Sequence, residues 1–217
     1  MYPAILWDND GVLVETEPIF YEVSRQTLAK YGVTLTPAIF AEHSLRQGRS
    51  LFEYLRDAGV SEATMAAERI DQDARYVQLV RATPPEAKHG ILQILAFFAT
   101  KIRMGVVTSC ERELFAQAHA RSGVPGYMNF VYAREDYHLT KPNPEPYLKA
   151  VREQGLDLAR SVVVEDTPRG VAAAKAAGLY CVGVEGPYIA ASDLKEADCV
   201  VSGTEHLLPV LRDLCKV

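Results

Sequence analysis

The sequence predicts an α/β protein in which a doubly wound parallel sheet carries an inserted helical segment. From about residue 90 onward, short runs of apolar and often β-branched residues alternate with helical stretches. This alternation is typical of parallel sheets that helices cover on both faces. Residues 17–82 break the rhythm, because they contain helical patterns and almost no β-branched run. We therefore assign residues 1–16 and 83–217 to an α/β core and residues 17–82 to an all-helical cap.

Each predicted strand is a short run that is apolar on both faces. Runs of about four to eight apolar residues bounded by turn residues are typical of buried strands. One run lies near the N-terminus, and the others follow residue 100. The predicted strands are Ala4–Asp8, Arg103–Thr108, Phe130–Ala133, Ser161–Glu165, Tyr180–Val184 and Asp198–Val201.

Helical patterns in the insertion are separated by glycine and proline, which favour helix ends and turns. Pro84 and Pro85 mark the return to the core. An all-helical insertion placed directly after the first strand is well placed to act as a lid. The predicted helices are Tyr21–Tyr31, Leu51–Ala58 and Glu62–Val80, and the separating residues are Gly32, Pro37, Gly48 and Gly59.

Composition limits the classes of partner. The chain has 217 residues and a formal net charge of −5, which argues against nucleic acid or an anionic membrane as the main partner. No apolar run approaches the length that spans a bilayer, and no basic and apolar leader is present, so we expect a cytoplasmic protein. A monomer is the default expectation. The cysteines lack a C-x-x-C pair and are expected to be free thiols; they are Cys110, Cys181, Cys199 and Cys215.

The most informative segment contains two carboxylates, Asp8 and Asp10, between the first strand and Gly11. Side chains two residues apart in a strand point to one face, so both carboxylates are expected at the strand's carboxyl end. Two carboxylates at an open end suit a divalent cation, with one free as a nucleophile and the other as an acid/base. On this segment alone, an Asx-rich turn without chemistry is the alternative.

Three further segments lie at the carboxyl ends of predicted strands, where ligands of open α/β sheets bind. Thr108 and Ser109 can hold phosphate oxygens at a strand-to-helix turn. Lys141, fixed by the prolines that follow it, suits a phosphoryl group and a carboxylate nucleophile. Glu165 and Asp166 suit a hard cation. The alternatives are helix capping for the hydroxyls and acids and a surface position for the lysine.

Taken in order, these four segments resemble the motifs of the haloacid-dehalogenase-like hydrolase superfamily, and the resemblance spans nearly the whole chain. It implies a Rossmann-like core, a small α-helical cap and Mg²⁺ as the cofactor. By this likeness, Asp8 is the nucleophile that forms an aspartyl-phosphate. Asp10 is the acid/base that protonates the leaving oxygen and later activates water.

The resemblance also implies how the phosphoryl group and the metal are held. Thr108 and Lys141 would bind the transferring phosphoryl group, and Ser109 lies in the same turn as Thr108. Asp10 would reach the metal through its backbone carbonyl. The implied metal ligands are Asp8, Asp10, Glu165 and Asp166.

The function implied is a Mg²⁺-dependent phosphatase that acts on a small phosphorylated metabolite. Asp10 argues against dehalogenation, which needs only the first carboxylate. The nearest alternative is a sugar-phosphate mutase similar to β-phosphoglucomutase, but its cap-helix histidine has no counterpart in the stretch Thr16–Tyr21. A catalytically silent binding protein is a further alternative, against which the retained acids and Lys141 argue. Sugar phosphates, phosphoglycolate and nucleoside monophosphates stay open as substrates.

Substrate specificity is expected to lie in the cap. The segment His43–Ser50 is the best candidate, because it combines a glycine, two arginines and hydroxyl groups midway through the insertion. We take Arg46, Gly48 and Arg49 as its specificity residues, since a guanidinium suits a second phosphate, a carboxylate or sugar hydroxyls. A solvated turn between two helices is the alternative for this segment.

Overall fold

The computed structural model describes residues 3–216 and contains one six-stranded sheet in which all strands are parallel. The strand order is β3-β2-β1-β4-β5-β6. This topology confirms the predicted doubly wound α/β class. The strands are β1 (Ala4–Trp7), β2 (Arg103–Val107), β3 (Phe130–Tyr132), β4 (Val162–Glu165), β5 (Tyr180–Val184) and β6 (Cys199–Val201).

The α-helices of the described residues divide into those of the insertion and those that cover the sheet. Four fall within residues 17–82, of which three overlap the predicted helices and Pro37–Phe40 is additional, and five follow in the core. The division of the chain into separate core and cap domains stays a prediction. The helices are α1 (Glu17–Ala29), α2 (Pro37–Phe40), α3 (Glu53–Asp57), α4 (Glu62–Ala82), α5 (Ile91–Phe98), α6 (Arg112–Ala118), α7 (Glu145–Gln154), α8 (Pro168–Ala176) and α9 (Leu207–Cys215).

The sheet is buried on both faces because its apolar side chains alternate between two helical layers. In β1, Ile5 and Trp7 join an apolar cluster that includes residues of α5, α6 and α9. Ala4 and Leu6 join the opposite cluster, which includes residues of α7 and α8. The two-residue period of a strand therefore explains why continuous apolar runs form these strands.

β1 lies between β2 and β4, and the chain winds outward from it in both directions. Trp7 is in register with Val106 on one side and Val164 on the other. Crevices at the carboxyl ends of strands form where the strand order reverses in this way. The residues that follow β1 and β4 therefore lie beside the crevice.

The insertion has its own small apolar core. Thr36 and Ser61 cap α2 and α4, since each hydroxyl accepts a hydrogen bond from the N–H three residues on. Helix α1 begins at Glu17, four residues earlier than the predicted start. A turn of π-helix that the sequence did not predict spans Ala41–Arg46. The buried residues of this core are Leu28, Leu35, Phe40, Leu51, Phe52, Leu55 and Met65.

The insertion contacts the core through, among others, an aromatic contact and an ion pair. The ring of Tyr188, which follows β5, packs on Phe40 and Tyr21 with centroid separations of 5.2 Å and 6.0 Å. The guanidinium of Arg46 donates two hydrogen bonds to the carboxylate of Asp193, at 2.8 Å and 2.7 Å. Both contacts join helices of the insertion to loops of the core.

Within residues 3–216, no helix combines the length and apolarity required to cross a membrane. The four cysteines are free, and Cys181 is buried in the sheet, as predicted.

Candidate active site

A cavity of about 370 Å³ lies between the carboxyl edge of the sheet and the insertion. Residues from both parts of the chain line it. The predicted site residues among them are Asp8, Asp10, Ser109 and Lys141. The remaining lining residues are Thr16, Glu17, Phe20, Phe40, Ser44, Leu45, Tyr76, Cys110, Leu114, Thr167 and Arg169.

A tight turn after β1 brings Asp8 and Asp10 to the cavity. The sequence predicted that the strand extends to Asp8, but β1 ends at Trp7, so strand alternation is not what aligns the two carboxylates. The Asn9 carbonyl instead accepts N–H groups from the residues that follow, including Leu13 at 2.8 Å. The Asn9 side chain is buried and contacts Nε2 of His119 at 2.6 Å.

Gly11 allows the first and last motifs to approach each other. Its φ is +77°, and a Cβ built there would lie 1.8 Å from Oδ2 of Asp166. Any side chain at this position would therefore displace the Asp166 carboxylate. The Gly11 carbonyl accepts a hydrogen bond of 2.6 Å from Lys88, which also pairs with Glu15.

Lys141 is buried and joins the predicted nucleophile to the last motif. Its ammonium donates hydrogen bonds of 2.6 Å to Asp8 and 2.6 Å to Glu165, and a third of 2.9 Å to the Val107 carbonyl. Burial alone lowers the pKa of Lys141, but the charges of Asp8 and Glu165 outweigh it and raise the pKa above its ordinary value. Lys141 is therefore a fixed positive charge beside Asp8.

Three carboxylates cluster around this ammonium. Asp8, Glu165 and Asp166 each offer an oxygen, and these oxygens lie within 4.8 Å of one another. Burial is the main cause that raises the pKa of Asp8 and of Asp166, and repulsion by neighbouring carboxylates adds to it. Such crowding of buried acids is relieved by a cation.

The cluster fits a hard divalent cation, because some of its carboxylate oxygens already accept hydrogen bonds and one does not. Both Glu165 oxygens accept hydrogen bonds, one from Lys141 and Tyr147 and the other from the N–H of Asp166. Oδ1 of Asp166 is buried and has no hydrogen-bond partner in the described residues. A buried carboxylate oxygen without a partner is an available ligand for Mg²⁺. Asp166 is therefore the freer ligand, and Glu165 is the more constrained one.

Asp10 is held by a hydroxyl group instead of a cation. The Thr16 hydroxyl, just before α1, donates a short hydrogen bond to Oδ1 of Asp10. This contact orients the carboxyl group of the predicted acid/base. Tyr76 of α4 lines the cavity together with these two residues.

The second motif forms the turn that follows β2. Thr108 is buried, and its hydroxyl accepts a hydrogen bond of 3.0 Å from the N–H of Cys110. Ser109 and Cys110 line the cavity, whereas Thr108 is not among the lining residues. Burial raises the pKa of the Cys110 thiol, and the charges of Asp10 and Asp8 add to this. Cys110 is therefore protonated and is not a thiolate nucleophile.

Sequence reasoning missed two ionisable residues of the cavity wall, Glu17 and Arg169. Burial raises the pKa of Glu17 to about 8, and repulsion by Glu15 and Asp10 adds to it. Arg169 lies in the first turn of α8 and is half buried. Each follows a predicted motif by a few residues, and that proximity was the available signal.

The three cap residues predicted to set specificity do not line this cavity. Arg46 pairs with Asp193, and Arg49 pairs with Glu53 of α3. The turn at Gly48 instead packs against Arg169, since a Cβ at Gly48 would lie 2.4 Å from the Nε atom of that arginine. The role of these residues in specificity stays a prediction. The residues of this segment that reach the cavity are Ser44 and Leu45.

Comparison with known proteins identifies the family. The sequence profile described as haloacid dehalogenase-like hydrolase matches residues 5–184. The chain belongs to this family. Hexitol phosphatase A of Escherichia coli (strain K12) is 30% identical to this hydrolase over 208 residues, which are 94% of this chain and 92% of the relative. Validoxylamine A 7'-phosphate phosphatase of Streptomyces hygroscopicus subsp. limoneus is 27% identical over 203 residues, 93% of each chain.

A solved structure supports the same assignment. The crystal structure of CbbY from Rhodobacter sphaeroides in complex with phosphate matches this hydrolase with a TM-score of 0.78 at 25% identity. The match covers 95% of this chain and 96% of that one. The family and its phosphatase relatives together make this chain a phosphoric monoester hydrolase.

Proposed function

We propose that this hydrolase is a Mg²⁺-dependent phosphatase that cleaves a small phosphorylated metabolite through an aspartyl-phosphate on Asp8. The observation that carries this proposal is the set of contacts around Asp8. Lys141 holds one Asp8 oxygen at 2.6 Å, and the other oxygen has no hydrogen-bond partner in residues 3–216. A carboxylate with one oxygen neutralised and the other free is prepared for nucleophilic attack.

The proposed reaction has two steps. In the first, the free Asp8 oxygen attacks phosphorus, the bond from phosphorus to the ester oxygen breaks, and Asp10 gives its proton to the leaving oxygen. In the second, Asp10 takes a proton from water, which attacks the same phosphorus and releases inorganic phosphate and Asp8. The hydrogen bond from the Thr16 hydroxyl keeps the Asp10 carboxyl oriented for both transfers.

The charges of the substrate must be neutralised for a carboxylate to attack it. Mg²⁺, when bound, supplies positive charge to the phosphoryl oxygens, and the residues that would hold it are Asp8, Asp166 and the Asp10 backbone carbonyl. Lys141 supplies the fixed charge on the other side of Asp8. Glu165 positions Lys141 through its 2.6 Å contact.

The cavity favours a phosphatase over a sugar-phosphate mutase. The mutases carry their histidine in the stretch that corresponds to Thr16–Tyr21. The residues of this stretch that line the cavity are Thr16, Glu17 and Phe20, and none of them has an imidazole. Water is then the expected acceptor of the phosphoryl group. Inorganic phosphate should accordingly accumulate from glucose 1-phosphate without any glucose 6-phosphate.

The test is release of inorganic phosphate from p-nitrophenyl phosphate and from a panel of sugar phosphates, phosphoglycolate and nucleoside monophosphates. We expect turnover with Mg²⁺ and less than about one hundredth of it after chelation, because loss of one electrostatic stabiliser of the transition state costs about 10²-fold or more. No metal-dependent turnover by concentrated protein on any substrate would favour the silent binding protein instead.

A further inference from the structure

Two cationic side chains, Lys141 and Arg169, line the cavity, and they differ in how many of their N–H groups are already donated in hydrogen bonds. The three N–H groups of the Lys141 ammonium are all donated, to Asp8, Glu165 and the Val107 carbonyl. The Arg169 guanidinium has five N–H groups. In the described residues it donates one hydrogen bond, of 2.5 Å, to the Lys141 carbonyl. Arg169 therefore keeps donors available for a molecule in the cavity.

The Arg169 side chain is held in place from two sides. Its Nη2 is anchored on the Lys141 carbonyl, and the turn at Gly48 packs against it. A Cβ at Gly48 would lie 2.4 Å from Nε and 2.6 Å from Cζ of the guanidinium. A guanidinium fixed in this way loses little further freedom when it binds a ligand. It is also charged at every physiological pH.

Neither helix stability nor an ion pair accounts for a cation at this position. Arg169 lies in the first turn of α8, where the positive end of the helix dipole disfavours a positive side chain. No carboxylate forms a salt bridge with it in residues 3–216, although Glu165 and Asp8 are close enough to influence its charge. The guanidinium is thus an unneutralised charge on the wall of a cavity.

Arg169 and the predicted nucleophile contact different ends of Lys141. Arg169 binds the backbone carbonyl of Lys141, whereas the ammonium of that lysine contacts Asp8. The other neighbour of the guanidinium is the Gly48 turn of the insertion. Arg169 therefore lies on the cavity wall between the core and the insertion.

We infer that Arg169 binds a second anionic group of the substrate, a carboxylate or a further phosphate, and so selects phosphate monoesters that carry one. The fork of a guanidinium accepts either group through paired hydrogen bonds. This inference rests on the proposed phosphatase function and adds a substrate class to it. It assigns specificity to a core residue instead of the arginines of the insertion.

The experiment uses pairs of esters that differ in one group. In the first pair, 6-phosphogluconate has a carboxylate where sorbitol 6-phosphate has a hydroxymethyl group. In the second, shorter pair, 2-phosphoglycolate is compared with 2-hydroxyethyl phosphate. We expect the protein to prefer the anionic member of at least one pair. In that pair, Arg169→Gln should lower kcat/KM for the anionic ester by about tenfold or more through KM, and for the neutral ester by less than about threefold.

Two further variants separate binding from support of the fold. Arg169→Lys keeps the positive charge but not the fork, so it should retain part of the preference and fold normally. Asp193→Asn breaks the ion pair with Arg46 outside the cavity, so it loosens the insertion without removing a cavity charge. The ratio of anionic to neutral kcat/KM should be unchanged in Asp193→Asn, and melting temperatures report the stability of each variant.

Several results would overturn the inference. Equal losses on both members of a pair and on p-nitrophenyl phosphate would mean that Arg169 acts on the reacting phosphoryl group or only supports the Gly48 turn. A wild-type preference for the neutral esters, or no change in Arg169→Gln, would also refute it. Turnover of p-nitrophenyl phosphate by the wild type tests the proposed function separately, because that ester has no second anionic group.

Discussion

The carboxyl edge of the sheet and the helical insertion differ in how their polar residues are placed. At the sheet edge, residues far apart in sequence converge: Lys141 and Asp8 are 133 positions apart, and their side chains are 2.6 Å apart. In the insertion, Arg46 and Arg49 lie three residues apart in sequence and pair with different acids outside the cavity. Each region contains candidate binding residues, but only those at the sheet edge converge on one site.

The difference follows from the forces that build each region. Hydrogen bonds set the register of parallel strands, so a residue just beyond one strand must lie near the residue just beyond its neighbour. Helices of the insertion pack through apolar side chains such as Leu28 and Leu55. That packing fixes which helix faces are buried, but it leaves polar residues free to take nearby partners. Function is therefore easier to infer from sequence at the edge.

The largest expected effect is at the edge. Asp8→Asn should abolish metal-dependent phosphate release, because the amide is a poor nucleophile and a weaker ligand for Mg²⁺. The side chain keeps its size, so the melting temperature should show a folded protein. Steady-state release of phosphate from p-nitrophenyl phosphate measures the effect. Retention of more than a small fraction of the activity would remove Asp8 from the role of nucleophile.

A smaller loss should follow at the other carboxylate of the same turn. Asp10→Asn removes the proton donor and is expected to lower kcat by about 10²–10⁴-fold. Mg²⁺ affinity should change little, since Asp10 would reach the metal through its backbone carbonyl. Titration of Mg²⁺ followed by intrinsic fluorescence measures this affinity separately from turnover. If Asp10→Asn lost Mg²⁺ binding but kept its turnover at saturating Mg²⁺, the Asp10 side chain would be a metal ligand and not the acid/base.

The smallest effect should come from the insertion. Arg49 pairs with Glu53 and does not line the cavity, so Arg49→Ala should change kcat/KM by less than about threefold, close to the value of an exposed ion pair. Glu53→Gln is the matched control, because it removes the same pair from the other side. The preferred substrate of the panel is used for both variants. A loss above about tenfold in Arg49→Ala alone would support the sequence-based prediction that Arg49 is a specificity residue.

The sequence predicted the strands and the four motifs because their signals are local. Apolar runs such as Val162–Glu165 have one plausible structure, and Asp166 directly follows that run. The sequence could not predict that the Asp8–Gly11 segment leaves the strand. The pairing with β4 ends at one hydrogen bond of 2.9 Å, which the N–H of Asp8 donates to the Val164 carbonyl.

The cavity wall was harder to predict, because its residues come from elements whose relative position depends on tertiary packing. Glu17 and Arg169 reach the cavity only because α1 and α8 begin beside it. Apart from its position three residues after Asp166, nothing in the local pattern distinguishes Arg169 from a solvent-exposed arginine. The π-helical turn at Ala41–Arg46 likewise changes the direction in which the following residues point. A regular α-helical period therefore could not predict which side of the insertion Gly48 and Arg49 lie on.

The contact of Tyr188 with the insertion has a consequence for the way the cavity exchanges its contents with solvent. Tyr188 belongs to the core chain but packs within the apolar cluster of the insertion. Any swing of the insertion must either carry the loop after β5 along or separate the Tyr188 ring from Phe40 and Tyr21. Separation exposes aromatic surface to water at about 25 cal/mol per Å². Any swing that leaves the loop after β5 in place therefore costs the free energy of this aromatic contact.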